Sequence, residues 1–240
     1  MSAASGSPNG QASGPELTPQ NYVRITARQL WDELPALTLG SVLFSVSWIP
    51  AFLLALVGLW STALVAGVMI TAPGWGALLA YEGRVLEGRR ATPWHMLRAW
   101  WALWTRSALL GAVTLIPALI AGWTVLAMAQ STPPPWVGVS LVLDVATLLI
   151  LVMLNLYTFP LISVYGADLY TALRSALLLA SRHIWNTLGL LSMGVLFGMA
   201  IAYINSGLMF VLPAVWGVFL INNCRMLVSQ ELQRSADGDQ

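Results

Sequence analysis

One acidic side chain, Asp144, stands well inside an apolar run, eight residues past Trp136. On a helix rising 1.5 Å per residue, that is about 12 Å from the boundary of the run. A carboxylate in hydrocarbon is costly and is a functional candidate by default. It can hold a proton, bind a cation or contact a polar substrate. A protonated or water-reached acid with a structural role also accounts for it. No arginine lies at matching depth, and Asn205, Thr62 and Thr124 are the groups expected to hydrogen-bond it. Asn155 follows eleven residues later, close to three helical turns, so the two share a face with Thr147, Leu148 and Leu151 along or beside it. Such a stripe turns toward protein rather than lipid, and interhelical hydrogen bonding explains Asn155 adequately.

A second candidate is backbone rather than side chain. In TAPGWG (71–76), Pro73 is followed by Gly74 and Gly76. This is a candidate helix break that would expose backbone groups to a ligand, or else a plain kink. Pro50, Pro117, Pro160 and Pro213 also interrupt apolar runs, and Gly194 and Gly198 form a GxxxG pattern suited to close helix approach. Other chemistry finds no footing. There is no Walker A sequence, HExxH, nucleophile elbow or dinucleotide fingerprint. Two distant histidines, His95 and His183, and one cysteine, Cys224, do not make an ordinary zinc site. No catalytic residue, cofactor or metal is expected, and nothing supports nucleic-acid binding.

The elements that must position these residues are membrane helices. The chain has 240 residues, 58% hydrophobic and 9% charged. A soluble domain carries about a quarter charged residues. A crossing needs about 20 apolar residues, and six runs qualify, at 35–58, 61–82, 106–129, 137–164, 186–205 and 208–228. The expected fold is all-α and polytopic, with six transmembrane helices in three hairpins. Residues 1–20 read as a disordered polar tail without the basic start and apolar core of a secretory signal, 21–230 as the membrane domain, and 231–240 as a polar C-terminal tail.

All eleven basic residues are arginines, and they fall only in the segments before span one, between two and three, between four and five, and at the end of six. The loops after spans one, three and five carry no charge; one of them is QSTPPPW (130–136). The positive-inside rule therefore puts both termini in the cytoplasm. Trp31, Trp94, Trp100, Trp101, Trp104 and Trp185 mark the basic interface and Trp60 and Trp136 the opposite one. Each hairpin is expected to follow a short in-plane amphipathic helix, at 21–33, from Thr92 to about 105, and at 167–183. On the last of these, Leu169, Ala172, Leu173, Ala176, Leu177 and Ala180 form the apolar face. Trp31, Trp104 and Trp185 lie 73 and 81 residues apart, a weak three-unit repeat. Arg98, Arg174 and Arg182 on these helices are candidates for cytoplasmic docking of a partner or of anionic lipid heads, although anchoring alone would also place them there.

Two stretches carry a family resemblance. TAPGWGALLAYEGRVLEG (71–88) resembles the Thr-Gly-Pro-small run and following basic helix of the YesL-like bacterial membrane proteins, and NLYTFPLISVYGADLYTALRSALLLASR (155–182) resembles that family's proline-bearing span end and amphipathic helix. The resemblance covers about residues 22–230; the polar N-terminal segment and the tryptophan cluster at 94–104 depart from it. It implies an uncharacterised bacterial inner-membrane protein, not an enzyme, accessory to carbohydrate uptake as scaffold or regulator of a transporter. The alternative is a small transporter or channel using Asp144. A weaker third reading is the membrane half of a lipid-metabolising enzyme. The expected partners are the lipid bilayer and a carbohydrate transporter or other membrane protein.

Overall fold

The computed structural model describes residues 21–130 and 135–238. The expected tail at 1–20 and most of the QSTPPPW loop lie outside the described residues. Among the described residues all regular structure is helical. The helices are α1 (Tyr22–Asp32), α2 (Leu34–Val46), α3 (Ile49–Leu56), α4 (Trp60–Leu86), α5 (Pro93–Gln130), α6 (Pro135–Ser163), α7 (Leu169–Arg182), α8 (Ile184–Met199) and α9 (Leu212–Gly238). Six segments are long and apolar enough to cross a bilayer: Leu34–Leu56, Trp60–Leu86, Pro93–Ala129, Trp136–Ser163, Ile184–Ile204 and Leu212–Arg234. The protein is an all-α polytopic membrane protein of six spans.

The first span bends between α2 and α3. Pro50 has no N–H for the carbonyl of Val46, four residues back. The amides of Ser47 and Trp48 instead close tighter turns onto Phe44 O and Ser45 O, at 3.0 and 3.1 Å. The second span keeps its helix, which answers the break alternative and not the kink. The break sought at Pro73, Gly74 and Gly76 does not occur, and α4 runs unbroken through all three buried residues. A methyl group on Gly74 would lie 3.1 Å from Ser47 Oγ, and one on Gly76 only 2.8 Å from Ser107 Oγ. Neighbouring helices press on this segment from two sides, so the glycines admit close approach rather than open the backbone.

The second in-plane helix is not separate either. Residues 93–105 are the first turns of the continuous α5, because nothing between Pro93 and Gly111 interrupts the hydrogen-bond ladder. This part of α5 also packs inward: Met96 is buried in the cluster holding Leu78 and Tyr81, and Trp100 Nε1 donates to Ile70 O at 3.3 Å. α1 and α7 do stand as short separate helices. Asp168 caps α7 by accepting from the Tyr170 amide at 3.3 Å. α7 buries Ala172, Ala176 and Leu179. Leu177, expected on the same face, is exposed, because the two small alanines set the side that meets the protein.

Span five ends in a π turn, Ala200–Ile204, and a 3-10 turn, Ser206–Phe210, follows. Asn205 Oδ1 caps that turn by accepting from Gly207 N at 2.7 Å. α9 therefore starts at Leu212, four residues later than expected. Two serines of α2 brace this start: Ser41 Oγ accepts from Ala214 N at 2.8 Å, and Ser45 Oγ donates to Met209 O at 3.0 Å. At its other end α9 continues to Gly238, so the expected polar tail is helical over 231–238. Glu231 there binds Arg182 of α7.

The core is concentrated at the arginine end. The completely buried apolar side chains include Leu78, Leu79 and Tyr81 of α4, Leu156 and Tyr157 of α6, and Val218, Leu220 and Ile221 of α9. Toward the other end, Val139, Val142, Leu143, Leu149 and Ile150 of α6 and Trp123 of α5 are exposed. The helices thus pack tightly where the arginines gather and present broad lipid-compatible faces elsewhere.

Candidate functional site

Three polar features lie within or against this core. The first is Glu82, four residues before the end of α4. It is completely buried, and neither carboxylate oxygen has a hydrogen-bond partner. It sits directly on the backbone of α9: a methyl group on Gly217 would fall 2.1 Å from Glu82 Oε2. Glycine is required there because only a bare α-carbon leaves room for the carboxylate. Leaving a buried polar group unsatisfied costs about 1–3 kcal/mol, and more for a charged one. The sequence reading missed this acid. Glu82 is the last residue of the expected second span and precedes Arg84, so it looks like an ordinary interfacial acid. Its burial depends on Gly217, more than a hundred residues away. A usable signal was a small residue in the middle of the sixth apolar run.

The second feature is a polar seam holding α1, α6 and α8 onto α9. Asn222 Nδ2 donates to Thr26 Oγ1 at 3.1 Å and to Gln29 Oε1 at 2.8 Å. Asn186 Nδ2 donates to Asn223 Oδ1. The hydroxyls of Tyr157 and Thr187 share a hydrogen at 3.0 Å. Thr26, Thr187, Asn222 and Asn223 are all fully buried. Asn222 Oδ1 and Asn223 Nδ2 are left without partners.

The third is a pair of adjoining clefts in the middle of the membrane domain, of about 380 and 330 Å³. They share Phe44, Trp75, Asn155 and Phe159 as lining residues. Trp75 and Trp216 stack at 5.1 Å between ring centres. Against a largely aromatic and aliphatic wall, the polar points are Asn155 and the unpartnered Trp216 Nε1 in the first cleft and Asn155, Thr71 and Thr114 in the second.

The residues proposed from sequence are distributed unevenly over these features. Asn155 lines both clefts, and its Nδ2 donates to Thr114 Oγ1 at 2.8 Å, tying α6 to α5. Asp144 lines neither. It is half-buried, and its Oδ2 has no hydrogen-bond partner. Of the groups expected to reach it, Thr124 is engaged elsewhere, its Oγ1 donating to Ile120 O at 2.9 Å, and no hydrogen bond joins Asn205 to it. Gly74 and Gly76 belong to helix contacts, as described. Arg98 and Arg174 are exposed and, among the described residues, have no carboxylate at ion-pair distance. Arg182 is engaged with Glu231, which also lies 3.6 Å from His183 Nε2 and 3.5 Å from Arg234 Nη1.

The arginines do gather at one end of the bundle. Arg106 Nη1 donates to Ala167 O at 3.4 Å, and Arg225 Nη2 reaches Gly83 O at 3.3 Å and Glu87 Oε1 at 3.2 Å. Among the described residues, no three His, Cys, Asp or Glu side chains come together as a metal site would need.

Fold and site together define a six-span helical membrane protein with an aromatic interior cleft and an arginine-bearing end. No known protein family matches the chain, and neither does any curated protein or solved structure.

Proposed function

We propose that this is a non-catalytic bacterial inner-membrane protein, with both termini in the cytoplasm, that serves as an accessory or scaffold to a carbohydrate transporter. The YesL-like resemblance supplies the transporter and the arginine distribution supplies the orientation. The observation that carries the docking role is the uncovered side of α7. Arg174 is exposed there without a carboxylate partner, and exposed Tyr170, Leu177 and Leu178 surround it along the helix. Tyrosine and arginine beside apolar area are what protein interfaces favour. Arg182 is not part of this surface, because Glu231 holds it. The test is co-purification of a carbohydrate transporter with the protein from native membranes. Arg174→Glu should abolish recovery of the transporter while the protein still inserts; undiminished recovery rejects the proposal.

A second reading, a small transporter or channel, draws support from the two clefts that meet at Asn155. It moves the centre of interest from Asp144 to Asn155. Flux in proteoliposomes should fall in Asn155→Ala more than in Asp144→Ala. Absence of flux in the unaltered protein eliminates this reading.

A further inference from the structure

We propose that the cleft between the end of α4, the first turns of α5 and the end of α6 is a specific binding site for the phosphate headgroup of an anionic phospholipid. The cleft has a volume of about 600 Å³. Its charged and imidazole-bearing wall is Arg84, Arg89, His95, Arg98 and Glu87, beside Tyr81 and Ser163.

The charges do not cancel. Glu87 is taken on both oxygens, by Arg89 Nε and by Arg225 Nη2, each at 3.2 Å. Arg84 and Arg98 therefore face the cleft without a carboxylate at ion-pair distance among the described residues. Arg84 Nε is in addition buried with no hydrogen-bond partner. A guanidinium that lines a water-accessible cavity without a carboxylate partner is available to an anion, and phosphate accepts from arginine in the charge-assisted way that gives the strongest such bonds.

His95 adds a third donor. The Thr92 amide, 3.1 Å away, can only donate to Nδ1. The neutral imidazole must then carry its proton on Nε2. His95, Arg98 and Ala102 recur at helical spacing along α5, so the donors stand on the side of the helix that lines the cleft.

Two observations favour a membrane lipid over free phosphate. The cleft lies where three spans, Trp60–Leu86, Pro93–Ala129 and Trp136–Ser163, begin or end on the arginine side. On the same turns of α5, Trp94 and Trp101 are each 69% exposed, as side chains at the headgroup level are. The rest of the wall, Ala80, Ala99, Ala102 and Val164, suits the glycerol and first methylenes. This site lies apart from the α7 face and stands whether or not a transporter docks there.

The test measures retention of phosphatidylglycerol and phosphatidylcholine by the full chain in detergent, by native mass spectrometry and by lipid-dependent thermal stabilisation. Phosphatidylglycerol should bind saturably and phosphatidylcholine should not. The double variant Arg84→Gln, Arg98→Gln should weaken binding by about thirtyfold, given about 1 kcal/mol per arginine at a headgroup. The double variant Arg24→Gln, Arg28→Gln, which removes the same two charges from exposed positions of α1, should not. If Arg84→Gln prevents folding, exposed Arg98→Gln alone is read, with about a fivefold loss expected. Equal retention of both lipids, or unaltered binding by the cleft variants, overturns the proposal. Displacement of phosphatidylglycerol by equimolar inorganic phosphate overturns the lipid assignment.

Discussion

The carboxylate of Glu82 rests on the α-carbon of Gly217, so tightly that a methyl group added to Gly217 would lie 2.1 Å from Oε2 and 2.9 Å from Cδ. This one contact ties the second turn of α9 to the end of α4 and leaves a fully buried acid without a hydrogen-bond partner. Gly217→Ala should therefore destabilise the protein by about 1–3 kcal/mol, the usual cost of overpacking. Glu82→Ala in the same chain should relieve most of that cost. Thermal midpoints in detergent for the two single variants and the double variant form the cycle. Simple additivity would show that the two residues do not press on each other.

Asn222 holds α1 against α9 through Thr26 and Gln29. Asn222→Leu removes both bonds and strands the fully buried hydroxyl of Thr26, at a cost of about 1–3 kcal/mol. α1 should then detach before the rest unfolds. Hydrogen exchange in residues 22–32 should accelerate selectively, and uniform acceleration across the helices would contradict this.

Tyr22 donates its phenol hydrogen to Phe219 O at 2.8 Å. Burial, followed by the nearby Tyr157, pushes its pKa well above the ordinary tyrosine value of 10.0. A raised folded-state pKa means that the contact contributes fully below about pH 10, where the unfolded chain keeps its proton as well. The contribution is lost as pH climbs from there through the raised value. Tyr22→Phe should lower stability at neutral pH by about 0.5–1.5 kcal/mol and should flatten the decline above about pH 10. Parallel declines in the two proteins between pH 9 and 11 would rule this out.

The two glycines of the GxxxG pattern should respond differently. A methyl group on Gly194 would sit 2.7 Å from the Trp216 ring, whereas one on Gly198 meets nothing within 4 Å. Gly194→Ala should lower the thermal midpoint and Gly198→Ala should leave it unchanged or raise it. Similar losses from both would point to a contact of Gly198 outside this chain.

Pro73 stands in a continuous helix, so replacing it should cost nothing. Pro73→Ala restores a donor for the carbonyl of Met69 and should keep or raise stability. A loss of insertion or of proteoliposome flux in this variant would revive the case for a functional break.

Some of the candidate site was legible in the chain and some was not. Asn155 was, because a lone amide in an apolar run must find a partner on another helix, and Thr114 provides one. The free state of Arg174 and the engaged state of Arg182 were not. Both are arginines on one amphipathic segment, and only the fold brings Glu231 of α9 up to the second. Pro73 misled for a related reason. Proline and glycine weaken a helix locally, but α4 is clamped between Ser47 and Ser107. The bend falls at Ser47 and Trp48 instead, where α2 meets α3.

By itself the sequence determined the number of spans and their approximate places. Twenty-residue apolar runs and arginine-bearing connections obey the solvent, and the bilayer acts on each segment independently of the others. Only the tertiary structure decided that the acid without a partner is Glu82, that α5 runs through its tryptophan cluster without a break, and that Arg84 and Arg98 converge on one cleft. Those outcomes depend on which helix faces which. Within a membrane that is settled by close packing at small residues such as Gly217, and no local pattern in the chain encodes the partner of a glycine.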